Sequence, residues 1–327
     1  MKVTVFGATG FVGGHLCERL VERGGSVVAF ARNPKVRDEL RRKGMSVVIG
    51  DLLDERAVLE ACSGADVVIN TAGALGKWGT DSDEMERVNS QAPGIIVRLA
   101  SISGATRVIH TSTAGVSGPL PDGGCVSEDY QSQPKTDYQR TKLDGEISAL
   151  AAHRETGIPL TIIRPSFVYG PGDMHKLSLF RAVASGRMVF VNRGQSRLHP
   201  IHVDDLVAGI ITSIEKAPGQ GETYIIGGSR PVAVKELIET IAEVLGVTPP
   251  RLSLPEGLLM LLARIAESVF GALGKEPPIT QSRVKLFSEN YAYTIQKAQQ
   301  ELGYKPGVEL PDGIAGTVEW YKGRGLI

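Results

Sequence analysis

The sequence predicts a doubly wound α/β fold, a parallel Rossmann-type sheet with a smaller, mostly helical C-terminal lobe. Three observations carry that expectation. Apolar runs rich in β-branched residues alternate with amphipathic stretches through the first half of the chain, and such near-continuous apolar strands belong to a parallel sheet covered on both faces. Glycines follow the first run at once, where a strand would turn into a helix. After Arg164 the rhythm breaks at Pro165, Gly170, Pro171 and Gly172, and shorter elements take over.

Taken in order, Lys2–Phe6 reads as a strand and Gly13–Gly24 as a helix. Ser26–Phe30 is a strand, Pro34–Lys43 a helix and Ser46–Ile49 a strand. Arg56–Cys62 is helical, Asp66–Asn70 a strand and Met85–Ser101 one long helix. Val108–Ser112 is a strand, Tyr138–Thr156 a helix and Leu160–Arg164 a strand. Right-handed crossovers make this a doubly wound sheet. Beyond it, Asp204–Glu215 and Val234–Leu245 read as helices and Glu222–Ile226 as a strand. The division expected is a sheet domain over 1–170, to which 198–228 returns, and a lobe over 171–327.

The chain has 327 residues, 42% hydrophobic and 22% charged, which suits a globular protein of this size. Lys plus Arg and Asp plus Glu both number 36, so no global field recruits nucleic acid. Cys17, Cys62 and Cys125 are too few and too scattered for a disulfide framework or a metal motif. They indicate a reducing, cytoplasmic setting and no metal. Met1-Lys2 runs straight into Val3–Phe6, so no signal peptide is expected. The most apolar stretch, Leu254–Leu273, is broken by Pro255, Glu256, Arg264 and Glu267, which argues against a transmembrane span.

The first strand ends in Gly7-Ala8-Thr9-Gly10-Phe11-Val12-Gly13-Gly14. Glycines between a strand and a helix let the backbone approach a pyrophosphate, and the helix N-terminus adds free N–H groups and a positive dipole end. The alternative is a tight turn without a ligand. The second strand is followed by Ala31-Arg32, where an NAD site usually carries an acid for the ribose 2′-OH. An arginine suits a 2′-phosphate instead, so NADP(H) is the preferred cofactor and NAD(H) the second choice. By position, Asp51 and Leu52 would meet the adenine, and Thr71, Ala72 and Gly73 would lie along the dinucleotide.

Tyr138 and Lys142 are four residues apart at the start of a helix and share one face. A nearby ammonium favours a phenolate, so Lys142 is expected to lower the Tyr138 pKa and fit it for proton transfer. Tyr293 and Lys297 repeat the spacing late in the chain. Only Tyr138 follows a strand whose end carries Thr111-Ser112-Thr113, where open α/β sheets bind ligands. The hydroxyl of Thr113, or failing that Ser112, would hold the reacting oxygen. Both hydroxyls could instead cap the turn.

Together these residues resemble the extended short-chain dehydrogenases/reductases of the NAD-dependent epimerase/dehydratase superfamily. Val88-Asn89-Ser90, Arg164–Gly172 and Ile201-His202-Val203-Asp204-Asp205 extend the resemblance over nearly the whole chain. Within it the chain is most similar to the branch of dihydroflavonol reductases and 3β-hydroxysteroid (sterol) dehydrogenases. The resemblance implies an enzyme moving hydride between a nicotinamide and a secondary alcohol or ketone. It implies Thr113, Tyr138 and Lys142 as the catalytic triad, with Asn89 supporting Lys142 through a water. It also implies Pro165, Ser166 and Val168 near the nicotinamide, and a substrate loop at Lys77-Trp78-Gly79. Nucleotide-sugar epimerases share the fold and triad and are the alternative, but they often carry an arginine three residues before Ile-His-Val, where this chain has Leu198. A catalytically silent dinucleotide-binding protein is a third reading, against which the intact triad counts.

The expected substrate is a small molecule, large and apolar within that class: steroid-, flavonoid- or long-chain-like. The apolar positions of Leu254–Leu273 go most of the way round a helix, so it could bury one face and offer another to a ligand or a membrane surface. The alternative there is a plain core helix. A homodimer is compatible with all of these readings.

Overall fold

The structure, a computed structural model, describes residues 1–76, 79, 81–120 and 124–327. The first half alternates as read. β1 (Lys2–Phe6), α1 (Phe11–Glu22), β2 (Ser26–Ala31), α2 (Arg37–Arg42), β3 (Ser46–Ile49), α3 (Glu55–Cys62) and β4 (Val67–Asn70) come first. Then follow α4 (Ser82–Met85), α5 (Ala92–Ile102), β5 (Arg107–Thr111), α6 (Asp137–Thr156) and β6 (Leu160–Pro165). The second half holds β7 (Phe167–Tyr169), α7 (Leu177–Ala184), β8 (Phe190–Val191), β9 (Arg197–Leu198), β10 (Pro200–His202), α8 (Val203–Lys216) and β11 (Gln220–Ile226). It ends with β12 (Val232–Ala233), α9 (Val234–Leu245), β13 (Ser253–Leu254), α10 (Glu256–Ala272), α11 (Gln281–Ser288) and α12 (Leu310–Gly323).

The main sheet has seven strands in the order β11-β6-β5-β4-β1-β2-β3, and every pairing in it is parallel. Every residue of β4 and β6 is buried, as expected of strands covered on both faces. One face packs Leu16 and Leu20 of α1 with Leu206 and Ile210 of α8. The other packs Val58 of α3, Ile96 of α5 and Ala149 of α6. Strand order reverses between β1 and β4, and the crevice at their C-terminal ends is where such sheets bind ligands.

The helix expected over Met85–Ser101 is interrupted. A π turn, Glu86–Gln91, separates α4 from α5. Pro93 lies in the first turn of α5 and has no N–H to donate to the residue four before it, Asn89, so the regular ladder cannot run through.

The lobe has its own core, in which Phe180 of α7, Ile241 of α9 and Tyr321 of α12 meet. β11 adds to the edge of the main sheet beside β6. α10 departs from the plain-core alternative. Only Leu259 and Ala263 of its 17 residues are buried, while Leu258, Leu261, Leu262, Ile265 and Val269 are exposed. Among the described residues no helix is long and apolar enough to cross a membrane.

Candidate active site

The glycine loop is forced by geometry. Gly7 has φ +81°, and a Cβ there would stand 2.6 Å from the Ala72 nitrogen. A Cβ on Gly13 would stand 2.1 Å from the Gly7 oxygen, so α1 can approach β1 this closely only with glycine. The Gly10 N–H donates to the Gly7 carbonyl at 2.9 Å and closes the turn. α1 starts at Phe11 with no side-chain cap from Gly10 and no acid in its first turn. Thr9 and Gly10 are exposed, Phe11 and Val12 half-buried. The result is a cradle that a Cβ would fill, facing free N–H groups at a positive helix end, and it fits a dinucleotide pyrophosphate. On the neighbouring strand, the Thr71 hydroxyl donates to the Phe6 carbonyl at 2.8 Å and holds Thr71, Ala72 and Gly73 beside the loop.

Ala31 closes β2 and is buried, and Arg32 projects outward, its Nη1 2.9 Å from Glu84 Oε1 on α4. Asp51 Oδ1 accepts from the Leu53 N–H at 2.9 Å and from Arg87 Nη2 at 3.3 Å, while Leu52 packs on the apolar core below. Two surface ion pairs from one short segment, Glu84 and Arg87, thus reach the residues expected to meet the adenosine.

α6 is capped by the Thr136 hydroxyl, which accepts from the Gln139 N–H at 3.2 Å. Tyr138, Lys142 and Glu146 follow on successive turns of one face. Lys142 is 3% exposed and its Nζ donates to the Thr111 carbonyl at 2.7 Å. Burial lowers its pKa to about 8, against the opposing pull of Glu146. Burial also pushes Tyr138 up to about 12. This corrects the expectation that Lys142 would lower it: taking the phenol out of water disfavours the phenolate, and Tyr138 is a neutral phenol at ordinary pH. A neutral phenol is a proton donor.

The other expected residues gather nearby. Thr113 Oγ1 accepts from the Gly115 N–H at 3.2 Å, which leaves the hydroxyl hydrogen free to donate. The hydroxyls of Ser112 and Ser166 are buried with no partner among the described residues. The Ser166 N–H donates to Ile226 at 3.0 Å beside the buried Pro165, and Val168 pairs with Ile201. Asn89 is fully buried, but its amide accepts from Ala74 N and donates to Ala74 O, both at 2.9 Å, and donates to Thr141 Oγ1 at 3.1 Å. It fastens the loop after β4 to α6. In that loop a Cβ on Gly73 would lie 3.9 Å from Lys142 Nζ, and one on Gly76 would lie 3.0 Å from Tyr138 Cβ. Lys77 and Trp78 lie outside the described residues. Tyr293 is buried and stacked on His199, and Lys297 donates to the Thr223 carbonyl at 3.0 Å, away from this cluster.

Residues 3–227 match the NAD dependent epimerase/dehydratase family. The chain belongs to that family. It is an enzyme, an oxidoreductase of the extended short-chain dehydrogenase/reductase type. Among its relatives, 2-alkyl-3-oxoalkanoate reductase of Stenotrophomonas maltophilia is 28% identical, covering 96% of this chain and 97% of that protein. Sterol demethylase protein B of Methylococcus capsulatus is 27% identical over the full length of both. UDP-glucuronic acid 4-epimerase of Bacillus cereus, solved with NAD, is 24% identical with a TM-score of 0.77 over 99% of each chain, a likeness of fold.

Two features of this family member escaped the sequence reading. Arg164 and Glu146 form a buried two-point ion pair, Nε–Oε1 2.9 Å and Nη2–Oε2 2.6 Å, one turn below Lys142. The signal was present in the four-residue step from Lys142 to Glu146. The pairs from Glu84 and Arg87 left no such signal, since their partners lie in distant loops.

Proposed function

We propose that the enzyme is an NADP-dependent ketone reductase, or the reverse alcohol dehydrogenase, for a large apolar small molecule. The observation that carries this reading is a neutral Tyr138 phenol with a buried Lys142 one helical turn away, both beside the Gly73–Gly76 loop that follows β4. When bound, the dinucleotide supplies or accepts the hydride, chemistry no side chain offers. The Gly7–Gly13 loop, with Thr9, Phe11 and Val12, holds the pyrophosphate. Arg32 leaves Glu84 to pair with the 2′-phosphate, while Asp51 and Leu52 take the adenine. Thr71, Ala72 and Gly73 line the path between. Lys142 holds the nicotinamide ribose, and Pro165, Ser166 and Val168 flank the ring. Thr113 positions the substrate oxygen, Ser112 stands behind it, and Tyr138 protonates it, general acid catalysis worth typically ~10²–10⁴-fold.

Two observations support an apolar ketone over a nucleotide sugar. Two relatives at 27–28% identity over nearly the whole chain are named for a 2-alkyl-3-oxoalkanoate and a sterol, while the UDP-glucuronic acid 4-epimerase is 24% identical and alike in fold. Leu198, at the position where such epimerases often hold the diphosphate with arginine, is 0% exposed and belongs to the core. Residues 171–327 supply the substrate lobe, with 198–228 returning to the dinucleotide domain. A cytoplasmic setting suits the free thiols of Cys17, Cys62 and Cys125. The test is a panel of sterol, β-keto acyl and flavonoid ketones, with UDP-sugars alongside, followed by NADPH absorbance and product analysis. Epimerisation of a UDP-sugar without net NADPH consumption, and no turnover of any ketone, would overturn the reading.

A further inference from the structure

The outward face of α10 carries a pattern that catalysis does not require. Leu258, Leu261, Leu262, Ile265, Val269 and Leu273 are 42–63% exposed. At ~100° per residue they fall within roughly a third of the helix circumference. The opposite side rests on α11 through Leu259 and Ala263, with Val284 and Phe287. No charge interrupts the outward stripe.

The charges around the stripe are sorted by sign. Every acid of residues 251–276 is engaged with a neighbour in the lobe: Glu256 with Lys285 at 2.7 Å, Glu267 with Gln281 and Glu276 with Arg283 at 2.7 Å. Every cation of the same segment, Arg251, Arg264 and Lys275, is exposed and has no partner among the described residues. Arg193 joins them at the start of α10. It sits at φ +63°, a backbone conformation that side chains rarely adopt, held by its N–H on Ser253 Oγ at 2.7 Å. The molecule as a whole has no net charge, so this excess is local.

We infer that this face of α10 docks on a lipid bilayer bearing anionic headgroups. Apolar side chains at the centre of a helix face with unpaired cations at its margin match the boundary between acyl chains and phosphates. A second copy of the chain fits less well, because twofold pairing would set this cationic margin against its copy while the acids of residues 251–276 are already engaged. The stripe lies along the surface and spans nothing, consistent with the helix lengths.

The experiment sediments the full-length protein with vesicles of phosphatidylcholine alone and with ~30% phosphatidylserine, at low and high salt. The protein should pellet with the anionic vesicles and be released by salt. The triple variant Arg251→Gln/Arg264→Gln/Lys275→Gln should weaken that partition about fivefold per cation removed. Ile265→Glu should abolish it with the melting temperature unchanged, since the side chain is exposed. Unmodified protein that stays in the supernatant with every vesicle would overturn the inference. So would a dimer in sedimentation velocity that Ile265→Glu dissociates while vesicle binding is absent. Neither outcome depends on the identity of the substrate.

Discussion

Glu84→Gln should tighten NADPH binding and Arg32→Ala should loosen it, with NADH indifferent to both. The two side chains pair at 2.9 Å, but they are 73% and 41% exposed. An exposed pair of this kind is worth about 0.2–1 kcal/mol, so Glu84 competes with the 2′-phosphate only weakly. Freeing Arg32 should therefore improve the NADPH Kd by up to about fivefold. A charge-assisted hydrogen bond to the phosphate contributes about 1.5–3 kcal/mol, so losing Arg32 should weaken NADPH roughly ten- to a hundredfold. Fluorescence titration of each protein with NADPH and NADH, at low and at high salt, measures all four quantities. Equal affinity of the unmodified enzyme for the two cofactors would refute the role of Arg32. A Glu84→Gln variant that binds NADPH more weakly would refute the competition.

Three further outcomes follow from the same geometry. Tyr138→Phe should cut turnover by about 10²–10⁴-fold with cofactor binding nearly intact, whereas Tyr293→Phe should leave turnover almost unchanged; steady-state kinetics with both variants separates them. Glu146→Gln removes the charge that opposes the lowering of the Lys142 pKa. Charged Lys142 is present below about 8, so the alkaline limb of the kcat/KM profile should move to lower pH in this variant. A melting temperature that also falls is expected from the unpaired Arg164, and the limb's midpoint does not depend on the folded fraction. Gly13→Ala should destabilise the protein by about 1–3 kcal/mol or more in urea denaturation, because its Cβ meets the Gly7 carbonyl.

The main sheet was legible because period and burial agree. Strands such as Val67–Asn70 are apolar throughout, and a parallel sheet buried on both faces requires that. The glycine loop was legible because only glycine tolerates φ +81° beside Ala72. Tyr138 and Lys142 were legible as a face of one helix. Their electrostatics were not, since a spacing says nothing of desolvation, and here burial raises the Tyr138 pKa. Asn89 was legible as a position but its hydrogen bonds were not. Its bonds to Ala74 and Thr141 depend on how a π turn aims the side chain, and that turn arises from Pro93, four residues on. The open face of α10 was half legible: apolar residues most of the way round the helix fit burial or a docking face equally well, and only the packing of α11 on one side decides between them.

The row Tyr138, Lys142, Glu146 with Arg164 beneath explains how a buried ammonium can serve a reaction. A carboxylate bonded directly to Lys142 would occupy its donors and raise its pKa. Instead the counter-charge, Glu146, is held one turn away by Nε and Nη2 of Arg164. The direct contact to Lys142 is the neutral carbonyl of Thr111. An ammonium has three donors, so this arrangement spends one on the fold and would leave two for the ribose of the proposed cofactor. At Tyr138, burial raises the pKa to about 12 and keeps the phenol protonated, the state that general acid catalysis requires.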